Sequence, residues 1–139
     1  MPTQPSSFGN LVKLSAMNAV RTALLELASM HPLLVEAVQR FEADYGDDIP
    51  TAGMGDLGSA LAANFSVIGE DVIVRLFARC EDLLGGQDEE VSVAIATGFL
   101  ETFVSTSESL DVSRDTTDKH FGPLAQSHIK AWDEFCGVD

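Results

Sequence analysis

The sequence predicts an all-α fold, a single compact domain of five or six mostly antiparallel helices. Three observations carry that prediction. Apolar residues recur at spacings of three and four along nearly all of the chain after residue 9. No stretch alternates apolar and polar residues as a half-buried strand does. Proline and glycine interrupt the periodic runs at short intervals, so successive helices are joined by short connections and should lie antiparallel. With 139 residues, 45% of them hydrophobic, the chain has the usual size of one domain and enough apolar material for one core. Residues 1–9 read as a flexible N-terminus and 10–139 as the helical domain.

The first helix carries Leu11, Leu14, Ala16, Val20, Leu24, Leu27 and Ala28 on one face and runs to about Ser29. His31-Pro32 ends it, because the residue before proline is pushed out of the helical region. Pro32 then suits the first turn of a second helix, about 32–45, with Leu34, Val35, Val38, Phe41 and Tyr45 turned inward. "GDDIPTAGMG", residues 46–55, reads as a loop by composition. A third helix is expected from about Asp56 to Ile68 and ends at Gly69. A fourth starts with Glu70 and Asp71, where carboxylates suit the positive end of the helix dipole, and stops at Gly85-Gly86. The next opens with Asp88 as N-cap and Glu89 and Glu90 in its first turn. From Val91 to Val104 it is apolar on every side, the mark of a central helix. Residues 105–120 are polar and read as loop. A last helix, about 122–136, is expected to bury Leu124, Ile129, Trp132 and Phe135.

Charge is the strongest compositional signal. The chain has 22 Asp plus Glu against 8 Lys plus Arg, a formal net charge of −14. Residues 1–35 hold Lys13, Arg21 and Glu26, a net of +1, so −15 belongs to residues 36–139. Nucleic-acid binders neutralise phosphates with Lys and Arg, so this chain should be repelled by DNA, RNA and anionic lipid. The expected partner is a basic protein surface, reached by complementary potentials. Solubility alone is the blander explanation of the acidity. Cys80 and Cys136 form no disulfide framework or C-x-x-C motif, and both fall in apolar helical patterns. No secretory signal and no membrane span is visible, which makes a cytoplasmic protein the expectation.

Motifs for chemistry are weak. "GMGDLG", residues 53–58, matches the dinucleotide-binding glycine pattern by letter, but no strand precedes it and no βαβ unit follows. The alternative is an opening into the third helix, with Gly58 allowing a close helix contact. His31, His120 and His128 lack a histidine partner at helical spacing for a metal site. "DYGDD", residues 44–48, lacks the alternating oxygens and distant glutamate of a calcium loop. Glu101, deep in the most apolar helix, is either a carboxyl of raised pKa or part of a polar stripe with Thr97. No catalytic, cofactor-binding or metal-ligating residue is assigned.

The carboxylates themselves are the candidate site. Alternating helix directions bring the connections 46–55 and 85–88 to one end of the bundle. Asp44, Asp47, Asp48, Asp56, Glu81, Asp82, Asp88, Glu89 and Glu90 then crowd that end, with Arg79 as the nearby counter-charge, and Asp133 and Glu134 should return there. Self-repulsion on such a face is understandable if a cationic partner offsets it.

"MGDLG" (54–58), "GGQDEEVSVAIATGFLETF" (85–103) and "FGPLAQSHIKAWDEF" (121–135) resemble an uncharacterised family of small all-helical bacterial proteins, some of which are similar to toxin-immunity proteins. Residues 1–30 stand outside the resemblance, and Gln87 is one residue more than its pattern has before Asp88. The resemblance implies no catalytic residues. It implies a stand-alone binding protein, an immunity protein that neutralises a cognate toxin, for instance a basic nuclease, by occluding its active or substrate-binding surface. The alternatives are an acidic helical adaptor or nucleic-acid mimic, and, further off, a small enzyme.

Overall fold

Pro32, Pro50 and Pro123 each stand in the first turn of a helix, where the missing N–H is no loss and the fixed φ is already helical. The computed structural model describes the backbone of residues 7–136 and the side chains of residues 18–136. Eight helices lie among the described residues: α1 (Ser7–Ala28), α2 (Pro32–Tyr45), α3 (Pro50–Ala63), α4 (Phe65–Ile68), α5 (Glu70–Leu84), α6 (89–109), α7 (Arg114–Asp118) and α8 (Pro123–Phe135). The all-α expectation holds, but the number is eight rather than five or six. The two additional helices are the short α4 and α7. Most of the expected flexible N-terminus lies outside the described residues, and so do the side chains of Leu11, Leu14 and Ala16. None of the helices among the described residues is long and apolar enough to cross a membrane.

His31 caps α2 with its own side chain, Nδ1 accepting from the Leu33 N–H at 3.1 Å. The α2–α3 corner is shorter than composition suggests. Helix α3 starts at Pro50, so the expected loop over 46–55 shrinks to residues 46–49. Gly53 and Gly55, which read as loop residues, are inside α3, and at Gly53 and Gly58 other helices approach too closely for a side chain. A Cβ on Gly53 would lie 2.8 Å from Leu24 Cδ2, and one on Gly58 would lie 2.5 Å from the Phe99 carbonyl oxygen. The cofactor motif therefore dissolves into helix packing, with Gly58 making the close contact.

The helix expected over 56–68 is divided at Asn64, whose side-chain amide donates to the Ala60 carbonyl at 2.8 Å. Gly69 then turns the chain into α5 at φ +94, a backbone region that favours glycine. The polar stretch 105–120 is not all loop. Helix α6 continues to Ser109, and α7 is capped by Ser113, which accepts from the Thr116 N–H at 3.3 Å. Ser107 is buried and the Ser59 and Thr106 hydroxyls meet at 2.8 Å, so this turn of α6 packs through polar side chains and leaves no apolar period to read.

Helix α6 is the axis of the bundle. Val91, Ala94, Ile95, Phe99, Leu100, Phe103 and Val104 are buried. Its middle, Ala94–Leu100, widens into π-helical turns where it crosses α3. There Gly98 faces Thr51 and Met54, Gly58 faces Phe99 and Phe103, and Ser59 meets Thr106. Numbers rise together along both helices, so α3 and α6 run in the same direction. Phe77 of α5 joins Phe103 at 5.2 Å and Phe121 at 5.5 Å between ring centroids. Three expected inward residues are instead exposed: Tyr45 (65%), Phe135 (89%) and Leu124 (47%). Cys80 is buried, which raises its thiol pKa, whereas Cys136 is exposed.

Candidate functional site

The parallel course of α3 and α6 decides where the carboxylates go. Helix α6 meets α3 from Gly98 onward, so its start lies at the same end of the bundle as the α2–α3 corner. Asp44, in the last turn of α2, and Asp47 and Asp48, in the corner, are exposed. Gly46 makes the corner possible at φ +89 while its N–H still donates to the Glu42 carbonyl at 2.8 Å. Asp88, Glu89 and Glu90 are exposed at the start of α6. Asp88 has a local task as well, accepting from the Glu90 and Val91 N–H groups at 3.1 and 3.3 Å.

Glu81 does not face outward with the others. Its carboxylate accepts from the Leu124 and Ala125 N–H groups at 2.5 and 3.2 Å, which caps α8. Asp82 is exposed beside Arg79 at 4.0 Å. Asp133 does not return to this end. It forms a two-pronged pair with Arg114 at 2.8 and 3.1 Å, because α8 starts beside Glu81 and runs the same way as α6. His128 of α8 meets Glu101 of α6 at 2.7 Å along the way. Glu101 thus has a histidine partner, while Thr97 bonds the Val93 carbonyl of its own helix.

Arg79 is not the sole counter-charge near the acidic end. Arg79 holds Glu26 at 2.6 Å. Arg21 makes a two-pronged pair with Glu42, both contacts at 2.9 Å, and Asp47 adds to the field around it. That pairing raises the Arg21 pKa and holds the Glu42 carboxyl below its usual range. Arg79 is legible in the sequence, but the Arg21–Glu42 and Arg79–Glu26 pairings are not, because the partners lie on other helices, far outside helical spacing.

Beside the corner, a groove of about 490 Å³ opens over α3 between Phe41, Tyr45 and Ile49 on one wall and Thr102 on the other. Asp56 and Ser59 also line a second hollow of about 500 Å³ beyond it, so the two share an edge. Loss of hydration in the groove pushes the Asp56 carboxyl up, and the Arg40 charge draws it partly back. Among the described residues no three His, Cys, Asp or Glu side chains converge as a metal-ion cluster. On the far side of the bundle, His120 is buried between Phe65 and Phe77, and its Nε2 has no hydrogen-bond partner among the described residues. Glu70 is 3.8 Å from it.

Compared with protein-family models, with curated proteins and with solved structures, the chain matches none of them. The arrangement of its own side chains is therefore the basis for assigning a role.

Asp56 gives a pH signature. A carboxyl whose pKa is raised by folding contributes stability that is present below the unfolded value, about 3.9 for Asp, and is lost as pH rises through the folded value. Asp56→Asn should therefore melt slightly above the wild type at pH 7, by no more than ~0.5 kcal/mol for so exposed a group. The advantage should disappear below the unfolded value, where both side chains are neutral. Thermal melts of the two proteins across that range measure it. A variant less stable than the wild type at pH 7 would show that the carboxylate supports the fold.

Proposed function

We propose that this chain is a non-enzymatic acidic binding protein that meets a basic protein surface through the end of the bundle bearing Asp44, Asp47, Asp48, Glu89 and Glu90. One observation carries the reading. These five carboxylates are exposed, and none forms an ion pair among the described residues, while Arg21, Arg79 and Arg114 are engaged with other carboxylates. Like charges held at one end oppose folding and speed the approach of a cationic partner. Asp56 and Asp82 extend the face, Asp88 lies on it as a helix cap, and Glu81 is left out because α8 uses it.

In its most specific form the reading is an immunity protein. The resemblance of residues 54–58, 85–103 and 121–135 to small bacterial helical proteins supports that form, and so does the sign of the charge. A nuclease toxin must present a positive surface to its substrate, and an acidic inhibitor can cover that surface without any chemistry. A tight interface with a few dominant contacts is sufficient.

Expression of the reading frames adjacent to the gene tests this form. One of them should be toxic alone and harmless when this chain is co-expressed. With no toxic neighbour the immunity form falls. Asp47→Asn combined with Asp48→Asn should fold normally, with stability changed by no more than ~0.5 kcal/mol because both are exposed. Its association with the toxin should slow, and the wild-type rate should itself fall as salt rises. Association rates that do not respond to salt would exclude steering by this face. A cation held by "DYGDD" would reveal itself differently, as a melting temperature lowered by chelator. We expect chelator to leave the melt unchanged.

A further inference from the structure

The groove over α3 differs from the open acidic corner beside it, because it combines apolar walls with one carboxylate, Asp56, that feels the charge of Arg40 but is bonded to nothing among the described residues. Tyr45 is 65% exposed at the end of α2, held against Phe41 with ring centroids 5.1 Å apart. Ile49 is also exposed, and Ala52 and Gly55 leave the floor low because they carry little or no side chain. Among the described residues, Asp56 makes no hydrogen bond within the protein and no ion pair. The neighbouring Ser59 hydroxyl is already engaged with Thr106.

Resting on the reading of a basic protein partner, we propose that this groove receives an arginine side chain of that partner, its guanidinium on Asp56 and its stem along Tyr45 and Ile49. The chemistry favours arginine over other occupants. Its planar head can bond a carboxylate through two N–H groups, and it stacks on an aromatic face that a compact ammonium uses less well. The carboxylate has lost part of its hydration in the groove, so a bonded cation restores what solvent no longer supplies. Asp44, Asp47 and Asp48 are exposed and adjoin Tyr45 and Ile49 in the chain, so this end of the groove favours positive charge. A phosphate backbone would be repelled, and a second copy of a chain with net charge −14 is disfavoured for the same reason.

Tyr45 is the only tyrosine in the sequence, so protein grown with 3-fluorotyrosine carries a single fluorine in the groove wall. The probe is the tetrapeptide acetyl-Leu-Arg-Leu-Arg-amide at low salt, compared with the same peptide carrying citrulline, a neutral isostere, in place of each arginine. The arginine peptide should shift the fluorine resonance, and the citrulline peptide should not. Asp56→Asn should weaken the response about tenfold, the scale of a hydrogen bond to a charged group. Equal shifts from both peptides would overturn the proposal in favour of a merely apolar groove. Backbone amide shifts at Asp47, Asp48, Glu89 and Glu90 with an unmoved fluorine would overturn the groove and leave the acidic-face reading standing. No response anywhere to the cationic peptide would overturn both.

Discussion

Gly58→Val should unfold the protein or bring it close to unfolding, while Gly55→Ala leaves it as stable as the wild type or slightly more so. The two glycines are three residues apart on α3 and differ in what a side chain would meet. A Cβ at position 58 would stand 2.5 Å from the Phe99 carbonyl oxygen, 3.0 Å from the Phe103 nitrogen and 3.3 Å from the Phe99 carbonyl carbon. All three are backbone atoms of α6, so no rotamer change relieves the clash and the helices must separate. Separation loosens Leu57, Leu61, Phe99 and Phe103, all fully buried at this crossing. Overpacking of this kind costs about 1–3 kcal/mol and sometimes more, and valine adds two methyl groups beyond the clashing carbon. Against a total stability of about 5–15 kcal/mol that is a large share. At position 55 the nearest atom is the Thr102 hydroxyl oxygen at 3.4 Å, on a side chain that can give way, and alanine gains up to about 1 kcal/mol of helix propensity over glycine. Urea unfolding of the two variants beside the wild type measures the contrast. A Gly58→Val protein with an unchanged midpoint would mean that α3 and α6 do not cross here.

The same crossing shows what the sequence could and could not disclose. Helix faces with a regular apolar period were legible, because burial of one side imposes that period: Val20, Leu24, Leu27, Leu34, Val38 and Ile129 are all buried as expected. The start of α3 was not legible. Glycines chosen for close packing look the same in a sequence as glycines chosen for a loop, and Pro50 supports either reading. The end of α6 was hidden for a related reason, since Ser107 is buried without being apolar and Ser59 and Thr106 pair through hydroxyls. For the candidate site, direction alternation was enough to bring the α2–α3 corner and the start of α6 to one end. It failed for Asp133, because the segment after α6 travels back along α5 before α8 begins, and no local signal reports such a return. The groove was beyond reach as well. Tyr45 continues the apolar period of α2 one turn past the point where α3 stops covering it, so periodicity assigns it to the interior.

Arg114→Met should cost about 2 kcal/mol and release α8 before the rest of the bundle. Arg114 opens α7, and its guanidinium bonds Asp133 on α8, Asp118 on its own helix and Glu108 near the end of α6, at distances from 2.8 to 3.3 Å. Those bonds raise its pKa further above an already high value, so it stays charged at any pH the fold survives. Methionine keeps much of the stem and removes the fork, leaving three carboxylates facing one another. Breaking a fully buried pair costs about 3–5 kcal/mol, and this cluster is partly open to water, which screens part of the repulsion. Lysine should not restore the loss, since one ammonium cannot bond three carboxylates in that fork geometry. High salt should narrow the gap between variant and wild type by screening the exposed carboxylates. Trp132, the sole tryptophan, sits on α8 one residue before Asp133 and reports that helix alone. In the wild type its fluorescence and the helical circular dichroism should change together on heating. In Arg114→Met the fluorescence should change first, as expected for an element that opens below the global transition. Coincident transitions at the wild-type temperature would show that the cluster is not what fastens α8 to α6.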